Sequence, residues 1–267
     1  IANGLAKSLC LRLIPETSTA EKAIEENSVV ESLGFETTDC VEMEKLKKNH
    51  CIYAFLAGGL APSLTEYCIR EAICASSTDR RHEHIHHTLF PGDTVDGRAS
   101  YWLSMGESTP EVPETLTYKL VSKLCFIHEI NIQPFYMYSL DEYLICSAEA
   151  VRFRVGHVKE PQGERYLVGD CEPGLRSIED HVVWTYTSEE FPMAQARWLQ
   201  RFKLPEPILV VGGLLQIELL GRVELIADDL YYFCISHVQV VGRPLKDGFD
   251  AELIDHSRKC VLKYRKR

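Results

Sequence analysis

The chain has no Cys-x-x-Cys pair, although ten cysteines are scattered from Cys10 to Cys260. That spacing argues against zinc knuckles, dithiol redox chemistry and a disulfide framework. There is no Asn-x-Ser/Thr acceptor, no signal peptide and no apolar run of membrane-spanning length. Cys125 and Cys234 sit inside apolar runs, where a thiol acts as a small hydrophobe. Reduced thiols fit the cytoplasm, the nucleus or both. Positive charge is also scarce. With 29 Lys and Arg against 39 Asp and Glu the net charge is -10, which argues against nucleic-acid and acidic-membrane partners. The one basic cluster, Lys259, Lys263, Arg265, Lys266 and Arg267, lies in residues 246–267 and reads as a mobile, solvated tail.

Catalytic motifs are missing as well. No Gly-x-Gly-x-x-Gly or phosphate loop occurs, and Val211-Gly-Gly-Leu lacks the lysine and the spacing. Asp228-Asp229 and Glu189-Glu190 are adjacent in sequence and read as turn or solvent-facing pairs. No Cys–His pairing sits in a nucleophile signature. His82-Glu-His84-Ile-His86-His87 is rich in imidazole, a good ligand for zinc, copper and nickel. It is not the His-Glu-x-x-His helix motif, and it reads as a polar loop between domains. The expectation is a binding protein rather than an enzyme, with no cofactor.

What the chain does have is periodicity. Leu5, Leu9 and Leu13 fall four apart, and Pro15 ends the run. Ser18 with Glu21, Asp39 with Glu42 and Ser63 with Glu66 make capping-box patterns, the last before Tyr67, Ile69 and Ile73. Residues 1–75 are therefore predicted helical. Residues 76–98 read as a break. Beyond it the period falls to two. Leu116, Tyr118 and Leu120 alternate, as do Leu124 and Phe126, then Ile130 and Ile132. So do Val151, Phe153 and Val155, then Leu215, Ile217 and Leu219, then Tyr231, Phe233 and Ile235. Turn signals at Pro161-Gln-Gly, Glu172-Pro-Gly, Pro205-Glu-Pro and Gly212-Gly213 separate these runs. Residues 76–245 are predicted to form a β-sandwich.

The most informative stretch is Asp96-Gly-Arg-Ala-Ser-Tyr-Trp-Leu-Ser. Asp96-Gly97 is a turn pair, and Tyr101 and Trp102 stand side by side after it. Large aromatics in sandwiches mostly pack inward. The functional expectation is that one of the two lines a loop-end site with Asp96, Arg98 and Ser104. There aromatic faces meet apolar surface, and Asp and Arg supply directional hydrogen bonds. Trp184, Tyr186 and Trp198 offer a second aromatic group near a loop at 187–192.

Two family resemblances rest on these residues. Residues 76–241 resemble the galactose-binding-like, or discoidin-type, jelly-roll β-sandwich. The matching pieces are Ala75-Ser-Ser-Thr, the Asp96 to Ser104 loop, Leu116-Thr-Tyr-Lys-Leu, Ile130-Asn-Ile-Gln-Pro-Phe, Val151-Arg-Phe-Arg-Val-Gly and Gln216-Ile-Glu-Leu-Leu-Gly-Arg-Val. The whole chain resembles plant F-box proteins that carry this sandwich after the F-box. That likeness rests on Ile1-Ala-Asn-Gly-Leu-Ala-Lys-Ser-Leu-Cys-Leu-Arg-Leu-Ile-Pro-Glu, Val112-Pro-Glu-Thr-Leu-Thr-Tyr-Lys-Leu, Trp184-Thr-Tyr-Thr-Ser-Glu-Glu-Phe-Pro-Met and Tyr231-Tyr-Phe-Cys-Ile-Ser-His-Val. The resemblance implies a substrate receptor of a Skp–cullin–F-box ubiquitin ligase. An intact F-box would hold the Skp-type adaptor and, through it, the cullin. The sandwich would hold a target protein, or a glycan on it. Only the C-terminal end of the F-box is expected here, near Ile1 to Leu13.

Overall fold

The computed structural model describes Ser8 and residues 66–80, 82–92, 94–95, 97–139, 142–159, 178–226, 229–245, 249–254 and 259–264. The helices predicted over 5–13, 18–24 and 39–56 lie outside these residues, apart from Ser8, which is helical and exposed.

Alternating apolar residues generate strands almost throughout. In chain order they begin with β1 (Glu66–Tyr67), β2 (Ile69–Ala75), β3 (Thr94–Val95), β4 (Arg98–Ala99), β5 (Trp102–Leu103) and β6 (Glu114–Leu120). There follow β7 (Leu124–Pro134), β8 (Met137–Ser139), β9 (Glu142–Leu144), β10 (Ala148–Val158), β11 (Val182–Thr187) and β12 (Phe191–Pro192). The last are β13 (Gln200–Val211), β14 (Leu214–Arg222), β15 (Cys234–Pro244), β16 (Phe249–Ile254) and β17 (Lys259–Tyr264). One sheet runs β1-β15-β7-β13 with β5 on β15. The other runs β11-β10-β14-β6-β2 with β12 on β10. Every ladder is antiparallel. The fold is thus the mainly β sandwich that the sequence predicts.

The core is the shared inner face. Leu116 and Tyr118, Val151, Phe153 and Val155, and Leu215, Ile217 and Leu219 are all fully buried from one sheet. Cys125, Ile127, Ile130, Ile132, Phe233, Ile235, Val238 and Val240 meet them from the other. Each large apolar side chain so buried contributes about 1.5–3 kcal/mol.

Simple alternation fails in β7. Leu124 and Phe126 do not join the inner cluster with Ile130 and Ile132; Cys125 and Ile127 do. The reason is a bulge. Ile127 and Glu129 pair with neighbouring strands on both sides while His128 pairs with neither. One extra residue reverses which face looks inward. β15 shows the same device, with a register shift between Ile235 and His237, so its inward residues change from Phe233 and Ile235 to Val238 and Val240.

Three segments differ from the sequence reading. The segment from Glu66 to Ala75, predicted helical, forms the first two strands. Ile69 and Ile73 are four apart, a spacing that satisfies a period of two as well as a helical turn. Residues 76–98 are not a break between domains, since Ser76 and Ser77 bond into the start of β6. The histidine stretch carries a 3₁₀ helix, Ile85–Leu89, that buries Ile85 and Thr88. Finally, the basic tail pairs into a hairpin of β16 and β17.

Candidate functional site

Among the described residues, the connections between the strands of the two sheets gather at the ends of the sandwich. One end collects the described residues of 76–113, 134–148, 187–200 and 222–234, Arg98, Tyr101, Trp102 and Ser104 of the predicted loop-end site among them. Asp96 lies outside the described residues. Its neighbour Gly97 turns the β3–β4 hairpin at a φ of 74°, and Arg98 stands exposed beside it. Tyr101 is half-buried. Trp102 and Ser104 are fully buried and so line no surface.

Their burial has a clear cause. Trp102 pairs with Ile235 in the sheet and donates its indole N–H to the Ser77 carbonyl at 3.0 Å. Ser104 belongs to a network built on Arg222, whose side chain is wholly buried. Arg222 Nη2 meets Glu114 Oε1 at 2.8 Å. Arg222 Nη1 donates to Ser104 Oγ at 2.9 Å and to the carbonyls of Met105 and Tyr231 at 3.0 Å each. Nε donates to the Val112 carbonyl at 3.1 Å, and the guanidinium lies 4.6 Å over the Phe233 ring. Ser104 Oγ also accepts the Phe233 N–H at 3.0 Å and donates to the Met105 carbonyl. Glu114 accepts from Ser76 and from Ser77, the latter at 2.6 Å. One ion pair thus ties residues 76–77, 104–105, 112 and 231–233 together with its polar atoms satisfied, the condition under which a buried charge is tolerated.

A second anchor fixes the 3₁₀ helix. Thr88 Oγ1 donates to the Ile85 carbonyl at 2.7 Å, so Tyr118 donates to it at 2.8 Å. His237 Nδ1 donates to the Thr88 carbonyl at 2.9 Å. Burial holds the His237 pKa below its ordinary value, opposed by that bond. On the same helix, His84 and His86 approach Nδ1 to Nδ1 at 2.8 Å, and His84 Nδ1 caps the helix by accepting the His86 N–H. Among the described residues, no group of three or more His, Cys, Asp or Glu converges as a metal site would require.

The surface of this end is aromatic. Tyr101 stacks on Phe135 with centroids 4.3 Å apart, and its hydroxyl donates to Glu83 Oε1 at 3.0 Å. Burial and then the Glu83 carboxylate push the Tyr101 phenol above its ordinary range. Beside it Tyr136 and Tyr143 stack at 4.3 Å and 5°. Arg197 lies 5.2 Å over Tyr136. Tyr143 is 61% exposed and Trp198 64%. Nine large hydrophobic side chains stand exposed among the described residues. Six of them, Phe90, Met105, Val112, Tyr143, Trp198 and Leu225, occupy this one end.

Burial pushes the Cys146 thiol up to about 12 and the Cys234 thiol well above its ordinary value, and Cys125 is raised chiefly through its contact with Cys68. Those sulfurs stay protonated and poorly nucleophilic. Sequence reasoning named Trp198 but missed Tyr136, Tyr143 and Arg197, which lie far apart in the chain. It also missed Arg222 and Glu114. The available signal was a lone arginine closing an apolar strand, Leu219-Leu-Gly-Arg222, opposite a glutamate opening another.

Comparison with known proteins places the chain. No protein-family model matches it. Solved structures similar to it include the family 32 carbohydrate-binding module of NanJ from C. perfringens in complex with galactose. That module has a TM-score of 0.40 and 10% identity, over 64% of this chain and 98% of the module. Another is a chitosan-binding module from Paenibacillus sp. IK-5, at 0.39 and 11%, over 62% and 91%. A third is reduced XRCC1 bound to the DNA pol beta catalytic domain, at 0.40 and 11%, over 66% and 97%. A curated relative is far more similar: F-box protein At4g00755 of Arabidopsis thaliana is 43% identical over 266 residues, 97% of this chain and 71% of that protein. The chain therefore belongs to the same family of F-box proteins.

Proposed function

We propose that the sandwich is the target-recognition domain of a ubiquitin-ligase substrate receptor. A Skp-type adaptor and a cullin engage the F-box of the whole protein, and the sandwich holds the protein to be modified. The receptor contributes proximity and orientation to a partner enzyme's reaction, and no chemistry of its own. It works in the cytoplasm or the nucleus, where thiols stay reduced.

The observation that carries this reading is the loop end just described. Exposed aromatic and apolar side chains concentrate there, and two of the four connections that build it, 76–113 and 222–234, are tied together by Arg222 and Glu114. Exposed hydrophobic patches mark interaction sites, and a braced rim loses little ordering entropy on binding. Arg98 and Tyr101 are contacts within it; Trp102 and Ser104 act by holding the loop. The test is a reconstituted ligase containing the full-length protein. A captured target should gain ubiquitin with the sandwich present and lose at least tenfold in rate without residues 66–245. An equal rate without them would end this reading.

The open faces of Tyr143 and Trp198 support a second reading, a module that reads glycans on the target. Aromatic faces stack on sugar C–H surfaces. A glycan array probed with the intact protein and with Trp198→Ala tests it. Hits that vanish in the variant support it, and an array without hits removes it.

A further inference from the structure

The end of the sandwich carries a cationic feature that the predicted Asp96–Ser104 loop does not include. Arg197 is exposed and reaches over Tyr136, which in turn stacks on the exposed Tyr143. Trp198 follows it in the chain and is 64% exposed. β13 starts two residues later, and there Arg201 and Lys203 stand exposed between the buried Gln200, Phe202 and Leu204. Residues two apart on a strand share a face, so Arg201 and Lys203 lie side by side about 7 Å apart. Among the described residues no carboxylate comes within ion-pair distance of these three cations, although Glu129 stands opposite Lys203 in the ladder, whereas Arg222, Arg152 and Arg154 each have such a partner. The chain as a whole has a net charge of -10. An unpaired basic strip beside open aromatic rings, on an acidic protein, is a local reversal of sign.

From this geometry we infer that Tyr136, Tyr143, Arg197, Trp198, Arg201 and Lys203 form a docking site for an Asp/Glu-rich segment of a partner protein carrying an apolar or aromatic anchor. Trp198 and Tyr143 receive the anchor, since tryptophan, tyrosine and arginine dominate the energetics of protein interfaces. The three cations meet the carboxylates, which gives the pairing its sign selectivity and a faster approach at low salt. A neutral sugar would use the rings but has no need of three cations. The site deepens the receptor reading and rests on it, naming which part of the target is read.

The test pans a random twelve-residue peptide display library on the full chain, on Trp198→Ala and on Arg197→Glu. Both positions are exposed, and a urea melt of each variant confirms the fold. The expected winners are acidic and carry one large apolar residue. Their affinity should fall at least tenfold in Trp198→Ala, weaken with salt, and turn away from acidic peptides in Arg197→Glu. Winners without acidic bias, winners indifferent to both variants, or capture of neutral oligosaccharides lost in Trp198→Ala would overturn the proposal. The ligase assay separates the two levels. Ubiquitination that needs the sandwich but ignores both variants removes this site and leaves the receptor reading. Ubiquitination that needs neither removes both.

Discussion

Arg222 holds the rim together through a single guanidinium. Removing one partner of a buried ion pair leaves the other charge uncompensated, at a cost of about 3–5 kcal/mol. Arg222→Met should therefore lower the urea midpoint sharply, and Glu114→Gln somewhat less, because the amide keeps a hydrogen-bond acceptor. The double variant should lose less than the sum of the two, since neither charge is then stranded. Equal, additive and small losses would show that the pair is not the brace described. The sequence marked the two ends of this pair only as a lone arginine and a glutamate at strand termini, and did not show that they meet. A lone arginine after an apolar strand looks like a solvent-facing terminus, and only the fold brings Glu114, 108 residues earlier, against it. Trp102 shows the opposite case. Its aromatic bulk flagged the loop correctly, but its indole N–H already has a partner inside the protein, the Ser77 carbonyl.

Elements that deviate from regular geometry set the inward faces of the sandwich. His128 is the extra residue in β7. Deleting it would swing Leu124 and Phe126 inward and Cys125 and Ile127 outward, so the deletion variant should be insoluble or lack a cooperative melt. The variant His128→Ala, which keeps the count, should fold. A cooperative melt of the deletion variant would contradict the bulge. The clamp between β15 and the 3₁₀ helix responds to pH. His237 has a folded pKa below its ordinary 6.5. Its contribution to stability is therefore complete above that value and is lost as pH falls below 6.5 toward the folded value. The stability difference between the wild type and His237→Gln should shrink between pH 7.5 and pH 5, read by urea melts. A constant difference would contradict it. At this scale the strands were readable wherever alternation ran unbroken, as in Val151, Phe153 and Val155. They were misread where a spacing of four fitted both periods, at Ile69 and Ile73. Bulges left no sequence signal, because a single inserted residue looks like any other strand residue.

The molecule as a whole is a sandwich with exposed hydrophobic side chains concentrated at one end. The two sheets were legible as a class because period-two runs and turn residues recur along residues 114–245. The site was legible only in part. The loop at 97–104 was found from its local composition. The aromatic and basic group around Trp198 draws on three separate segments, joined by Arg197 over Tyr136 and by Tyr136 stacked on Tyr143. The proposed receptor reading would give that end a purpose, because a receptor must hold a second protein while another enzyme acts on it. The most direct test purifies the full-length protein with its Skp-type adaptor and cullin. A protein captured through the sandwich is then assayed for ubiquitination with the intact receptor and with one lacking residues 66–245. The account predicts rapid modification with the sandwich and at least a tenfold loss without it. Modification at an equal rate in both would contradict it.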